Sequence, residues 1–151
     1  MPMGSRAVTC LLVTLTVLFG TVASSWARSA EGAMVAALNE VRVQNGLDAL
    51  RPSSSLASSA STYAGVLMRN DWFGHGPQIQ ASPRFTTSGE ILAMHGGRRP
   101  RGGATIRAWL GSPAHRGVIL SSAFSWMGAG RATGRFGQRQ STIWVVHFGG
   151  G

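Results

Sequence analysis

Residues 108–120, AWLGSPAHRGVIL, decide how the second half of the chain folds. Trp109 lies on an apolar helical stripe, and Gly111 ends it. Ser112 and Pro113 then begin another helix, because serine is a favoured N-cap and proline at the first helical position loses no hydrogen bond. The stretch therefore predicts two short helices joined by a tight turn.

Two longer helices are predicted upstream of this stretch. The first ends at Asn45-Gly46, where glycine suits the left-handed conformation that follows a helix. The second begins after the serines at 53–55, which supply an N-cap, and ends near Asn70-Asp71. Their apolar stripes have helical spacing and consist of Met34, Ala37, Leu38 and Val41 in the first helix and Leu56, Ala60, Tyr63, Ala64 and Leu67 in the second.

The end of the chain is typical of β-structure. Residues 126–132 and 142–148 are strand-like, and the loop between them contains glycine and arginine, so they are predicted to pair as an antiparallel hairpin. The segment between the second and third helices is irregular and is expected to be mostly loop, with a short ordered piece at residues 88–94. Helices that precede strands, rather than alternate with them, favour an α+β domain.

Composition limits the class of protein. A chain of 151 residues allows one compact domain, and 44% hydrophobic against 13% charged residues excludes a disordered chain. The basic side chains number 14 and are all arginine, against 5 acidic ones, which gives a net charge of +9. The single cysteine, Cys10, excludes a disulfide scaffold and a zinc finger.

The first 27 residues have the layout of a secretory signal peptide. Residues 7–23 are almost continuously apolar, and Ser25 and Ala27 provide the small residues of a cleavage site before Arg28. This pattern predicts a secreted or periplasmic protein with no membrane span after signal cleavage. The alternative is that the segment is retained as a membrane anchor, because its length approaches that of a spanning helix.

Three residues are the leading candidates for chemistry. His75 lies in WFGH, Glu90 in SGEI, and His115 in SPAHRGVIL. Two imidazoles and a carboxylate, with water in the fourth position, would suit zinc or another divalent cation if folding brought them together. The residues are far apart in sequence, however, and a lone histidine after a helix more often makes a structural hydrogen bond.

Several motifs resemble bacterial members of the CAP/SCP superfamily, named for cysteine-rich secretory proteins, antigen 5 and pathogenesis-related proteins. In order, the motifs are LNEVRVQNGLDAL, WFGH, SGEI, AWLGSPAHRGVIL, MGAGRA and IWVVHFG. The resemblance covers residues 33–149 and leaves 28–32 as an N-terminal tail. It implies a three-layer α-β-α sandwich with a small antiparallel sheet and a cleft lined by histidine and glutamate. His75, Glu90 and His115 match the cleft residues.

The chain departs from the family pattern at two positions. Ile91 stands where the family motif GEN has asparagine, which removes a polar group beside Glu90. The second family glutamate, expected after Trp109, is absent. A mechanism that requires two carboxylates would therefore have only one.

These features favour a binding function over catalysis. The predicted cleft would bind a divalent cation and a small, apolar, lipid-like or envelope-derived molecule. The enzymatic alternative is a metal-assisted hydrolase in which Glu90 is the general base for a bound water, with His75 and His115 as metal ligands.

The arginine clusters offer a third interpretation. Guanidinium groups bind phosphate and carboxylate well, so the arginines could form a polyanion-binding surface for anionic components of the cell envelope. Export disfavours nucleic acid as the partner. The simpler alternative is that the charge maintains solubility. The clusters consist of Arg98, Arg99 and Arg101 in one loop and Arg131, Arg135 and Arg139 around the predicted hairpin turn.

The remaining candidates have structural interpretations. His147 alternates with apolar neighbours, so it is expected at a solvent-facing or edge position of its strand. Glu40 and Arg42 are expected on a solvated helix face. The tryptophans at 109, 126 and 144 are expected to fill the core.

Overall fold

The computed structural model of the chain describes residues 29–77 and 79–151. The predicted signal peptide and Cys10 lie outside the described residues. Helix α1 begins at Ala30, so part of the segment expected as a tail is helical. The described helices are α1 (Ala30–Gln44), α2 (Ser54–Arg69), α3 (Gly102–Leu110) and α4 (Pro113–Ile119). None of them is long and apolar enough to cross a membrane.

The helix boundaries follow the predicted caps. The Ser53 hydroxyl accepts a hydrogen bond from the backbone N–H of Leu56 at 3.3 Å, as expected for an N-cap of α2. Gly46 has a φ of 74°, the left-handed conformation predicted at the end of α1. Pro113 is the first residue of α4, which confirms the two-helix interpretation of residues 108–120.

The strands form a mixed sheet. The described strands are β1 (Arg51–Pro52), β2 (Thr87–Gly96), β3 (Trp126–Phe136) and β4 (Arg139–Gly150), in the order β1-β3-β4-β2. The β3–β4 pair confirms the predicted hairpin, although both strands are longer than expected. β2 pairs antiparallel with β4 and extends beyond residues 88–94, while the short β1, which was not predicted, pairs parallel with β3.

Helices cover both faces of the sheet. α2 packs so closely on β3 that a Cβ atom on Gly128 would overlap the backbone nitrogen of Ala57, and one on Gly130 would overlap that of Ser61. The other three helices contribute to the apolar cluster on the opposite face. The predicted α-β-α sandwich is therefore confirmed.

Two apolar clusters form the core, one on each side of the sheet. Trp109 and Trp144 are almost completely buried, and their indole N–H groups donate to backbone carbonyls at 2.8 and 2.7 Å. The prediction that Trp126 fills the core is wrong: it is only partly buried, and the Arg51 and Arg84 guanidinium groups lie over its ring. All the buried members of the two clusters lie between residues 34 and 148. The described domain thus contains its own core.

The prediction that Arg42 lies on a solvated helix face is wrong. Glu40 is exposed, but Arg42 is only 2% exposed. Its guanidinium donates hydrogen bonds to the carbonyls of Asp48, Ile119 and Ser121 at 3.0, 2.7 and 2.8 Å. Burial lowers the pKa of the guanidinium, and the Asp48 charge opposes this. Arg42 thereby ties α1 to the carbonyl groups at the end of α4.

Candidate functional site

The sheet register brings Glu90 and His147 side by side. Glu90 of β2 lies opposite His147 of β4, which in turn lies opposite Gly128 of β3. Directly opposed residues in a sheet project from the same face. Since Gly128 touches α2, the two side chains project from the face that α2 covers.

Glu90 is hydrogen-bonded to two histidines. His75 Nδ1 lies 2.7 Å from Glu90 Oε1, and His147 Nε2 lies 2.8 Å from Glu90 Oε2. A carboxylate accepts hydrogen bonds at both oxygens, so each facing imidazole nitrogen carries a proton. The side chains of His147 and Glu90 are 2% and 10% exposed, whereas that of His75 is 60% exposed. We call these three residues the His–Glu–His cluster.

Tyr63 holds the loop that carries His75. Its hydroxyl donates a 2.8 Å hydrogen bond to the carbonyl of Gly74. A Cβ atom on Gly76 would approach the Tyr63 ring to 3.1 Å, so the loop passes directly over the ring. These two contacts, on either side of His75, position its imidazole against Glu90.

Tyr63 also packs over His147. The two rings are stacked, with centroids 6.4 Å apart and an interplanar angle of 30°. Burial, and then the Glu90 carboxylate, raise the pKa of the Tyr63 phenol, which favours its neutral form. Beneath it, His147 Nδ1 is buried without a hydrogen-bond partner among the described residues.

A groove of about 470 Å³ adjoins the cluster. We call it the α2 groove. Its volume falls within the range of small-molecule sites. Most of its wall comes from one face of α2, the rest from the following loop and β4. Its lining residues are Ser55, Ser58, Ser59, Thr62, Tyr63, Val66, Gln80, Ala81, Ser82 and His147.

The structure joins two of the three predicted site residues. His75 and Glu90 are in hydrogen-bonding contact. His115 lies on α4, whose buried Ile119 belongs to the apolar cluster on the other face of the sheet from α2. Within the described ranges, His115 forms no ion pair with Glu90. The shared role of His115 stays a prediction.

The hydrogen bonds of the His–Glu–His cluster engage both oxygens of Glu90 and one nitrogen of each imidazole. Both Glu90 oxygens accept hydrogen bonds from imidazole N–H groups, and a protonated nitrogen has no lone pair for a metal. In the described parts of the chain, no three His, Cys, Asp or Glu residues are grouped to hold an ion. The hydrogen bond to Glu90 uses only Nδ1 of His75, and a histidine that donates one N–H to a carboxylate often binds a metal through its other nitrogen. The divalent cation therefore stays a prediction.

The prediction for His147 is wrong. The residue is neither solvent-facing nor at a sheet edge, because β4 is an inner strand and His147 is 1% exposed. Its position could have been found only by pairing two strands: SGEI and VVHFG pair so that Glu90 and His147 lie opposite each other. Single-strand alternation does not contain this information.

The arginine clusters differ in how many of their charges are engaged. Arg131 donates to Glu31 at 3.0 Å and lies over the Trp144 ring, so it is not part of an open cationic surface. Arg135 and Arg139 are exposed near the hairpin turn. In the other cluster, Arg98, Arg99 and Arg101 are all exposed.

Comparison with known families identifies the domain. The family model for CAP, the cysteine-rich secretory protein family, matches residues 35–148. The chain belongs to the CAP family. The match confirms the resemblance seen in the motifs and covers the His–Glu–His cluster entirely. Comparison with individual curated proteins gives no match.

Solved structures of other CAP proteins share the fold. An outer surface protein from Borrelia burgdorferi is 22% identical with a TM-score of 0.65, covering 82% of this chain and 94% of its own. Venom allergen-like protein 4 from Schistosoma mansoni is 16% identical with a TM-score of 0.63, covering 82% and 89%. An extracellular SCP-domain protein from Bacillus anthracis is 20% identical with a TM-score of 0.61. That match covers 81% of this chain but only 40% of the Bacillus protein.

Proposed function

We propose that this CAP domain is an extracellular binding protein whose ligand occupies the α2 groove beside the His–Glu–His cluster. The observation that carries the proposal is the position of His147, which lines the groove and is hydrogen-bonded to Glu90. The groove is thus built against a fixed polar group. An extracellular location is supported by the signal-like N-terminus and by relatives described as outer surface or extracellular proteins.

The walls of the groove suit an amphiphilic molecule. Val66, Ala81 and the Tyr63 ring provide apolar surface for an aliphatic segment. Serine and threonine hydroxyl groups along α2 can hydrogen-bond a polar part of the ligand. The combination favours a small lipid-like molecule over a purely polar one.

Electrostatics favours a neutral head group. The Glu90 carboxylate lies directly behind His147, and none of the described residues that line the groove is an arginine. An anionic head group would be repelled there, whereas a hydroxyl group would find partners. The proposed ligand is therefore an aliphatic molecule with a neutral hydrogen-bonding head.

Displacement of a fluorescent dye tests this proposal. Nile red, a neutral dye whose emission rises in apolar sites, is bound to the protein and displaced by dodecanol or by dodecanoate. We expect dodecanol to compete at lower concentration, although the net charge of the protein favours the anion. Equal competition, or preference for dodecanoate, would contradict the proposed head-group specificity.

A blocking variant tests the location of the site. Thr62→Trp places a large ring in the groove at an exposed position, and Ser61→Trp places the same ring on the exposed surface of α2 outside the groove. We expect Thr62→Trp to weaken dodecanol binding about tenfold or more, as loss of a well-filled pocket does. Ser61→Trp should leave it unchanged, and equal effects would remove the groove as the site.

The predicted cation and hydrolase functions remain separate proposals. The binding function proposed for the α2 groove rests on its lining residues and requires no metal. Zinc titration by calorimetry tests cation binding directly. Stoichiometric binding that is lost in both His75→Ala and His115→Ala would support the predicted site, and binding that is indifferent to both would remove it.

A further inference from the structure

Two large aromatic side chains are exposed at one end of the domain. Trp72 and Phe73, in the loop after α2, are 49% and 40% exposed. Neighbouring exposed aromatic residues commonly mark a surface that contacts another molecule or a membrane. The aromatic pair lies outside the α2 groove, so ligand binding there does not account for its exposure.

The structure places cationic side chains next to this pair. Asp71, the residue before Trp72, accepts a 2.6 Å hydrogen bond from the backbone N–H of Gly137 in the turn between β3 and β4. This contact brings the hairpin turn, with exposed Arg135 and Arg139, to the start of the aromatic loop.

The local charge is strongly positive. Arg69, at the end of α2, is also exposed and lies two residues before Asp71. The charge of Asp71 is hydrogen-bonded to the turn, and that of Glu90 is hydrogen-bonded to two histidines. We call the five residues Trp72, Phe73, Arg69, Arg135 and Arg139 the docking patch.

We infer that the docking patch binds the surface of an anionic lipid bilayer. Tryptophan and phenylalanine partition into the interfacial region of a membrane, and arginine reaches lipid phosphates from the same depth. Stable peripheral binding requires two signals, one apolar and one electrostatic. The patch supplies both within one small area, whereas a soluble polyanion would need only the arginines.

Co-sedimentation with lipid vesicles tests the inference on the chain from Arg28 onward, which contains both core clusters. The vesicles are phosphatidylcholine alone, or equal parts phosphatidylcholine and phosphatidylglycerol. We expect binding to the anionic vesicles, weakening as salt is raised, and a blue shift of tryptophan emission. Failure to bind anionic vesicles would overturn the inference.

Paired variants distinguish a membrane from a generic polyanion. Trp72→Ala with Phe73→Ala should lower the partition coefficient roughly tenfold or more, because the apolar contact is lost. Val43→Ala, a change at an exposed apolar residue on α1, should have no effect. If the aromatic double variant binds as well as the parent, charge alone explains binding and the inference is wrong.

A matched pair of charge variants locates the surface. Arg135→Gln with Arg139→Gln should lower partitioning about 30-fold, since each basic residue at an anionic surface contributes about 1 kcal/mol. Arg99→Gln with Arg107→Gln removes the same charge at exposed positions outside the patch and should have a much smaller effect. Equal losses would show that net charge, and not the patch, determines binding.

Discussion

Replacement of Glu90 by glutamine is the most informative perturbation of the His–Glu–His cluster. The change preserves the size of the side chain but removes the charge that both imidazoles contact. A hydrogen bond to a charged group contributes about 1.5–3 kcal/mol, against about 1 kcal/mol for a neutral one. The His147 bond is buried and should carry most of the effect, while solvent screens the bond to His75, which is 60% exposed. We expect Glu90→Gln to lower the free energy of unfolding by about 2 kcal/mol.

Urea unfolding followed by far-UV circular dichroism measures this difference. With a slope of about 2 kcal/mol per M, the midpoint should fall by about 1 M. Glu31→Gln is the control, because the Glu31–Arg131 pair is about one-quarter exposed and should contribute about 0.5 kcal/mol. A midpoint for Glu90→Gln no lower than that of the control would show that Glu90 contributes no more than a surface ion pair. A double-mutant cycle with His147→Asn should also give a larger coupling to Glu90 than one with His75→Asn.

Three further substitutions test other contacts within the domain. Gly128→Ala should destabilise the domain by about 3 kcal/mol in thermal unfolding, because the added Cβ would overlap α2. Gly117→Ala, which has open space around it, should be neutral or stabilising, and similar effects of the two changes would contradict the close packing of α2 on β3. Arg42→Met should lower the free energy of unfolding in urea by about 3 kcal/mol, since it leaves buried carbonyls without donors. An unchanged free energy of unfolding would show that Arg42 does not tie α1 to the end of α4. Tyr63 is the only tyrosine in the sequence, and its pKa is raised. Its stabilising contribution is therefore present below pH about 10 and is lost as the pH rises through the pKa of the folded state. Absorbance at ~295 nm should show that the phenol ionises at higher pH than a free tyrosine, and the Tyr63→Phe variant should lack this loss of stability at alkaline pH.

Local patterns in the sequence were sufficient for most of the helices and the hairpin. The caps at Ser53 and Pro113 and the glycine at 46 act within a few residues of the helix ends that they determine. The short strand β1 could not be found in this way. Its two residues are ordered by parallel pairing with Trp126 and Met127, far along the chain.

Burial of individual polar residues depends on distant partners. Arg42 lies on a helix whose sequence gives no sign of its burial, and the carbonyl of Ile119 that it contacts is 77 positions away. His147 lies on a strand in which residues 141–150 are all buried, so alternation cannot indicate which face is covered. Its role depends on the register with Glu90.

The predicted site was therefore partly recoverable from the sequence. The family resemblance pointed to His75 and Glu90, and these two residues are in contact. The role of His115 stays a prediction, and the resemblance gave no sign of His147, which supplies the second imidazole bound to Glu90. A motif identifies the positions that a family uses, but the side chain that fills the space beside Glu90 is determined by packing between strands.

Nitrogen-15 NMR of the imidazole rings observes the proton between His147 and Glu90, and so tests the His–Glu–His cluster itself. We expect His147 to carry its proton on Nε2, with slow exchange. Nδ1 should be unprotonated, since a buried N–H without an acceptor is strongly disfavoured. Glu90→Gln should shift the Nε2 proton signal. A His147 ring protonated on Nδ1 alone, or a signal unaffected by Glu90→Gln, would contradict the His–Glu–His cluster.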